Sequence, residues 1–351
     1  MVRPSAVGGP FLISVPRSGP RRSYEGEESE RPRIFIVGAG MAGLTAARRL
    51  QQLGLPSTVL DKGRRVGGRM ATRTLDGARF DHGAQHFSVR TEAFAGSVDS
   101  WTEDGIAAVW FRSRSVSNPD RGREPRFMGK EGMRSIPEHV AAGLDVRLAT
   151  TVDRLEATAS GLALAAGSEL VGEGSGVILT PPVPQILSLV RAGDISLPPE
   201  VAAMLAEVAY DATLAVLARL DGPSGLPDGH LSLSSGPIAW LADNQQKGIS
   251  PLPALTIHST PEFASTYLEA DPAEWTPILC AAASPRLGAN ITAATGHRWR
   301  YAQPRTTLQD GAVGFHAGGP VVLAGEVFAG ARVEGAFQSG LAAAEMMWAM
   351  L

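Results

Sequence analysis

The chain has 351 residues, a formal charge of −3, and 44% hydrophobic against 19% charged residues. That composition excludes a disordered or fibrous protein, and with no positive excess there is no field to hold nucleic acid or an anionic membrane surface. No run approaches the ~18 consecutive apolar residues of a membrane helix, and the length suits about two domains. The single cysteine, Cys280, rules out intrachain disulfides and fits a reducing, cytoplasmic compartment. It lies in the apolar run 278–281 and is expected to be buried and inert. Lys62, Lys130 and Lys247 are the only lysines among 32 basic residues, which argues against a catalytic lysine.

Residues 1–32 read as a disordered leader. Arg3, Arg17, Arg21 and Arg22 precede a burst of acids at Glu25, Glu27, Glu28 and Glu30, with Pro and Gly throughout. A signal peptide fits poorly, because the apolar stretch 7–15 is broken by Gly8, Gly9 and Pro10. Order is expected from Arg33. The apolar run 34–37 suits a buried strand; a glycine turn follows, and Leu44, Ala47, Leu50 and Leu53 then recur at helical spacing up to Gly54. The segment 57–60 reads as a second strand ending in Asp61, which completes a βαβ unit. Further strands are expected at 144–148, 176–180 and 320–325, and a last helix at 332–350. Between about 190 and 315 the texture changes to short strands (213–220, 231–234, 238–242 and 254–258) parted by Pro/Gly turns, with a helix at 272–283.

Gly38-Ala39-Gly40-Met41-Ala42-Gly43 is a GxGxxG pattern placed after a strand and at the start of a helix. There Gly38 permits a tight turn, Gly40 lets backbone approach a pyrophosphate, and Gly43 allows close helix–strand packing at a helix N-terminus that attracts anions. Asp61, at the end of the next strand, is positioned to accept from ribose hydroxyls. The pattern alone does not separate NAD from FAD. The segment from Lys62 to Arg73 continues directly from the acid, and in it Gly67-Gly68 frees backbone to meet a phosphate that Arg69 can neutralise. Gly83, Ala84, Gln85 and His86 then supply small residues for close passage along a flat ring. His82 and His86 flank a glycine in a loop, so they are not read as a metal pair, and no metal site is expected.

The run from Ile34 to Phe87 resembles the flavin amine oxidase superfamily, in which a GGR segment follows the dinucleotide fingerprint. The resemblance extends over about 33–351. Gly325-Glu326 and the stretch from Gly330 through Val333 to Ala336 resemble the family's closing strand and helix, which hold the flavin ribityl chain; the family carries Gly-Asp where this chain has Gly325-Glu326. Pro181 and Val152 fall at family positions near the adenine and the domain crossover. A narrower resemblance, to bacterial renalase-like proteins, rests on 240–248, the turn 258–261 and His297-Arg298-Trp299-Arg300-Tyr301-Ala302-Gln303-Pro304.

These resemblances imply an α/β fold. A discontinuous Rossmann-type FAD-binding domain (33–92, 128–190 and 315–351) is joined to a substrate domain on a mixed or antiparallel sheet (93–127 and 191–314). They imply non-covalent FAD, since Cys280 matches no attachment site. They further imply a renalase-like oxidase that takes a hydride at flavin N5 from 2- or 6-dihydro isomers of NAD(P)H and passes the electrons to O2, giving H2O2. No protein residue is assigned a catalytic role beyond the flavin. The substrate pocket is assigned to Thr213 beside the ring, to Trp299 and Tyr301, and to Arg332 at the start of the final helix, whose dipole would stabilise negative charge on the reduced flavin. Trp299 and Tyr301 alternate along a strand and read equally as core aromatics or as a wall over the flavin. Two other functions stay open: oxidation of a small amine, and flavin binding without turnover. No nucleic-acid or membrane partner is expected, and the oligomeric state is left open.

Overall fold

A parallel sheet with one antiparallel edge organises the dinucleotide domain. The computed structural model describes residues 32–114 and 122–351, so the expected leader lies outside the described residues up to position 31. The strand order is Val313–His316, Pro320–Leu323, Gly176–Leu179, Ile34–Val37, Ser57–Leu60 and Asp145–Arg147, with only the first pair antiparallel. Ile34–Val37 is buried along its whole length, as a central parallel strand covered on both faces must be. One face packs under Met41–Gln52 and Val333–Met350, with Ile34, Ile36, Leu44, Leu50 and Met347 in a common core. The other face carries Phe35, Val37 and Leu179 against Val183–Ala192 and the antiparallel sheet of Arg154–Thr158, Gly161–Ala166 and Glu169–Gly174.

The second domain is a five-stranded antiparallel sheet in the order His230–Ser232, Ile238–Asp243, Ala254–Ser259, Tyr210–Leu220 and Ile291–Pro304. Helix Pro272–Ala283 covers one face and buries Trp275, Leu279 and Ala283 against Leu214, Val216 and Ile257. Its start is fixed by a capping box in which Asp271 and Glu274 bond each other's backbone N–H. The fold class therefore stands as read from sequence.

Several boundaries move. Helix Glu92–Glu103 was assigned to the substrate domain, yet Phe94, Val98 and Trp101 join the dinucleotide-domain core beside Phe337. Helix Pro199–Ala206 likewise buries Val201 and Leu205 with Val37 and Leu179, so the second domain begins at the strand Tyr210–Leu220, which starts before Thr213. The strand expected at 144–148 ends at Arg147, because Ala149 and Thr150 turn to donate to the carbonyls of Gly63 and Asp61. The last helix begins at Val333, and Arg332 is its extended N-cap. Cys280 is half-buried rather than buried, and partial burial raises its thiol pKa.

Candidate functional site

The glycine fingerprint is built as its spacing requires. Gly38 turns at φ +108°, and a methyl on Gly43 would lie 2.0 Å from the Gly38 carbonyl oxygen, so helix and turn are in direct backbone contact. A methyl on Gly40 would meet nothing within 4 Å: the first turn of Met41–Gln52 opens onto free space. Gly68, in the left-handed region at φ +51°, packs at the edge of that space: its added methyl would come 3.5 Å from Gly40 Cα, and Gly67 N donates to the Ala39 carbonyl at 2.8 Å, so the groove is edged by two backbone turns in contact. Ala39 and Met41–Gly43 are buried against the sheet.

Asp61 closes the far end of this groove. Its Oδ2 accepts from Ala39 N at 2.6 Å and its Oδ1 from Gly63 N at 2.6 Å, which fixes the carboxylate at the strand end with lone pairs left for a ribose. Lys62 is exposed beside it. Thr150 N donates to Asp61 O, which brings the segment carrying Val152 alongside. Thr180, next to Pro181, donates to the carbonyls of Val37 and Gly38 and so holds that segment against the fingerprint.

Arg69 does not reach into the groove as expected. Its two terminal nitrogens each lie 2.5 Å from a different carboxylate oxygen of Glu326, and Nη1 also donates to the carbonyls of Tyr301 and Ala302. The longer Glu326 side chain meets the guanidinium in a fork, and this single contact joins the GGR loop, the long substrate-domain strand and the closing segment after Gly325. Gly83 also needs a different explanation. A methyl there would strike the Arg69 carbonyl oxygen at 2.0 Å and approach the edge of Trp299 at 3.4 Å, so its smallness serves chain packing rather than passage along a ring.

The predicted pocket residues divide into separate places. Trp299 is the register partner of Thr213, stacks on His82 at 5.3 Å between centroids, and donates from Nε1 to the His82 carbonyl at 2.7 Å. A register shift follows between Asp211 and Thr213, and Tyr301 packs instead against Tyr210 at 5.6 Å, beside Glu326 and Arg69. Trp299 and Tyr301 therefore do not form one wall. Arg332 is exposed; burial of its guanidinium and the nearby cations Arg90 and Arg126 lower its pKa.

Lys247, one of the three lysines, is fully buried. Its Nζ donates to Asp81 Oδ2 at 2.6 Å and to the Gln85 carbonyl at 2.6 Å, and lies 4.6 Å from the Trp110 ring centre. Burial pulls the ammonium below its ordinary pKa, against the opposing pull of Asp81. The other carboxylate oxygen of Asp81 accepts from Thr72 Oγ1 at 2.5 Å and Met133 N at 2.8 Å. Gln85 Nε2 donates to the Asp81 carbonyl at 2.6 Å, leaving Oε1 unpartnered.

Histidines here are held neutral. Burial, then the neighbouring His297, brings His82 down to about 3; burial and Lys247 bring His86 to about 3; and burial holds His258 at about 4. His82 and His86 diverge, one against Trp299 and the other against Trp240 at 5.5 Å. Trp110, Phe111 and His230 complete the second cluster, which the sequence reading did not place in the site. Trp240 and Lys247 lie in a segment already singled out as a subgroup signature, so a signal for them existed; none existed for Trp110 or Phe111.

The description "NAD(P)-binding Rossmann-like domain" matches residues 36–99, and "Flavin containing amine oxidoreductase" matches residues 106–259. Among curated proteins, the chain is similar to lysine-specific histone demethylase 1 homolog 1 of Arabidopsis thaliana, 42% identical over 66 residues (19% of this chain and 8% of that protein). It is also similar to putrescine oxidase of Kocuria rosea, 41% identical over 68 residues (19% of this chain and 14% of that protein). The chain thus matches only a small part of the length of these relatives. In fold it is similar to a putative protoporphyrinogen oxidase from Exiguobacterium sp. 255-15 (TM-score 0.69, 13% identity, 90% and 98% of the two chains). Cyclohexylamine oxidase from Brevibacterium oxydans IH-35A is a second such likeness (TM-score 0.65, 15% identity, 90% and 98% of the two chains). The open space before Gly40 at the helix N-terminus, with Asp61 at the next strand end, suits the diphosphate and ribose of a dinucleotide. A Rossmann-like dinucleotide-binding match over 36–99 followed by a match to flavin-containing amine oxidoreductases over 106–259 gives FAD as the cofactor.

Proposed function

We propose that the protein is an FAD-dependent oxidoreductase of renalase-like type, oxidising 2- or 6-dihydro isomers of NAD(P)H to NAD(P)+. When bound, FAD supplies the two-electron acceptor chemistry, with O2 as final oxidant and H2O2 as product. The substrate gives up a hydride, so the chain has no proton to remove from carbon. Its work is to bind, orient and exclude water. Gly38–Gly43, Asp61 and Gly68 hold the dinucleotide part of the cofactor without a covalent bond. Glu326 holds Arg69, within the cofactor domain, where it donates to the Tyr301 and Ala302 carbonyls of the substrate domain. The contact of Trp299 with His82 stiffens the loop that runs on to Gly83–His86.

The observation that carries this reading against amine oxidation is the state of the lysines. Lys62 and Lys130 are exposed, and Lys247 is wholly enclosed by Asp81, the Gln85 carbonyl and Trp110. Lys62 stands beside Asp61, at the ribose end of the cofactor, and the Lys247 ammonium is closed off from solvent. His82, His86 and His258 are neutral at physiological pH, which suits a reaction that needs no general acid beside the reacting ring. The single cysteine, which leaves no intrachain disulfide, supports a cytoplasmic placement.

Anaerobic titration of the yellow protein tests the reading. Bleaching by dihydronicotinamide isomers is expected. Bleaching by small amines alone would replace it with the amine oxidase reading, and bleaching by neither would leave a flavin-binding protein without turnover.

A further inference from the structure

The rings gathered around His86 are not required by the cofactor groove. Phe111 and His230 stack with centroids 4.0 Å apart, His230 and Trp240 lie 5.0 Å apart, and Trp240 and Trp110 each lie near His86, at 5.5 and 6.3 Å. All five stop at half-burial, unlike the core aromatics Phe94 and Trp275. Within the cluster, Trp240 Nε1 and His86 Nδ1 are buried atoms with no hydrogen-bond partner. Native structures leave few such groups unmet, and where they remain they commonly await a ligand or water.

The charge beside these rings is predominantly positive. Arg126 is the cross-strand partner of Phe111 in the hairpin Ala107–Arg114 and Arg123–Gly129, so both side chains leave the same face. Its side chain is 12% exposed, and Nη1 approaches Glu124 at 3.4 Å. The adjacent Phe127 exchanges backbone bonds with Phe87 at 2.9 and 2.8 Å, which seats the hairpin on the segment carrying His86 and Arg90. Lys247 stands over Trp110. Arg126 is near enough to both ends to help lower His86 and Arg332, in each case after burial, and Arg90 adds to the effect on Arg332. Glu334, the acid that offsets Arg332, spends one oxygen on Arg90 N, Thr91 N and Thr91 Oγ1.

We propose that the ring cluster of His86, Trp110, Phe111, His230 and Trp240, opening toward Arg126, is the substrate-recognition slot and takes a flat, uncharged dihydropyridine ring whose ribose carries a phosphate. The rings supply stacking faces, the Trp240 N–H supplies a donor to a ring acceptor or carboxamide, and Arg126 with Arg90 and Arg332 receives the phosphate. An alkylammonium is disfavoured, because the cation position over Trp110 is already filled by Lys247 and a second positive charge would be placed beside it. The proposal rests on the dihydronicotinamide reading and adds where, and by what chemistry, that substrate is held.

The test uses the full-length FAD-loaded protein. The mononucleotide and the riboside of 1,4,5,6-tetrahydronicotinamide, whose rings are uncharged and do not reduce flavin, and benzylamine are titrated against it, followed by tryptophan fluorescence and by the flavin difference spectrum. The mononucleotide is expected to bind, with affinity falling as salt rises, and the riboside about tenfold or more weakly; benzylamine should not compete. Arg126→Ala should lose about tenfold in mononucleotide affinity, and Trp240→Phe, which keeps a ring and removes only the N–H, should lose severalfold, both at unchanged FAD content and still folded at the assay temperature. Equal binding of mononucleotide and riboside, competition by benzylamine, or unchanged affinity in both variants would overturn the slot. If dihydronicotinamide isomers bleach the flavin equally in wild type and both variants, the reaction stands and the slot falls. If the mononucleotide binds as expected but no isomer bleaches the flavin, the slot stands and the reaction falls.

Discussion

The Lys247 ammonium lies 2.6 Å from Asp81 Oδ2, with both side chains at 0% exposure. This pair crosses the molecule, from the turn after Ile238–Asp243 in the second domain to the end of the strand Ala78–Asp81 in the first. Removing one partner would leave the other charge in a medium that cannot solvate it. Lys247→Met is therefore expected to cost about 3–5 kcal/mol in denaturant unfolding. Adding Asp81→Asn should recover much of the loss, because the amide oxygen can still accept from Thr72 and Met133 while no charge remains. A double variant no more stable than the single would show that the charge was not the cause.

The two fingerprint glycines should fail in different ways. Gly40 has ordinary extended backbone and open space where a side chain would stand, so Gly40→Val should fold with its melting temperature nearly that of the flavin-free wild type and hold no FAD. Gly43→Ala drives a methyl into the Gly38 carbonyl and should destabilise the apoprotein itself. Acid precipitation of wild type should release all yellow colour to the supernatant. Stoichiometric FAD in Gly40→Val, or colour kept in the pellet, would contradict the site or its non-covalent character.

The Arg69–Glu326 fork is half-buried, with side-chain exposures of 28% and 11%. Glu326→Ala should cost about 1–3 kcal/mol and loosen the contact between the domains, read as faster proteolysis near 300. Glu326→Asp withdraws the carboxylate by one methylene and should lose a smaller part of the same stability. Denaturant midpoints of both variants, with and without FAD, check the order.

Trp299→Ala removes the ring stacked on His82 and the bond to its carbonyl. Stopped-flow reduction by dihydronicotinamide isomers should slow by about tenfold or more while FAD content holds, since misplacing a hydride donor by a fraction of an ångström is expensive in rate. Arg332→Ala should instead raise the substrate concentration needed for half-maximal reduction. Wild-type behaviour in both would reduce these residues to ordinary structure.

Acid should destabilise the fold through its buried histidines. His82 and His86 titrate at about 3 and His258 at about 4 in the folded chain, against the ordinary 6.5, with burial the first cause in each. The depressed values mean that the unfolded chain binds protons the folded chain refuses, so stability is fully present above pH 6.5 and is lost as pH falls toward 4. The loss between pH 7 and 5 should be about 1–2 kcal/mol per histidine. His258→Asn should flatten this slope; an unchanged slope would place the acid sensitivity elsewhere.

Local sequence determined the nucleotide-binding half of this protein. A strand, a glycine turn, a helix and an acid at the next strand end are set by contacts within 34–61, where spacing maps directly onto backbone geometry, and the structure builds Gly38, Gly40, Gly43 and Asp61 in that relation. The helix 272–283 was equally legible, because its capping box and apolar spacing are local. What only tertiary structure decided are the long-range pairings. Arg69 finds Glu326 across 257 positions, Lys247 finds Asp81 across 166, and a register shift in the long strand parts Tyr301 from Trp299. Charge and hydrogen bonding act through space, and a guanidinium or ammonium brought into a dry interior takes the nearest carboxylate, whatever the sequence separation. The substrate side of the site is made almost wholly of such contacts, drawn from strands that meet only once the two domains have packed.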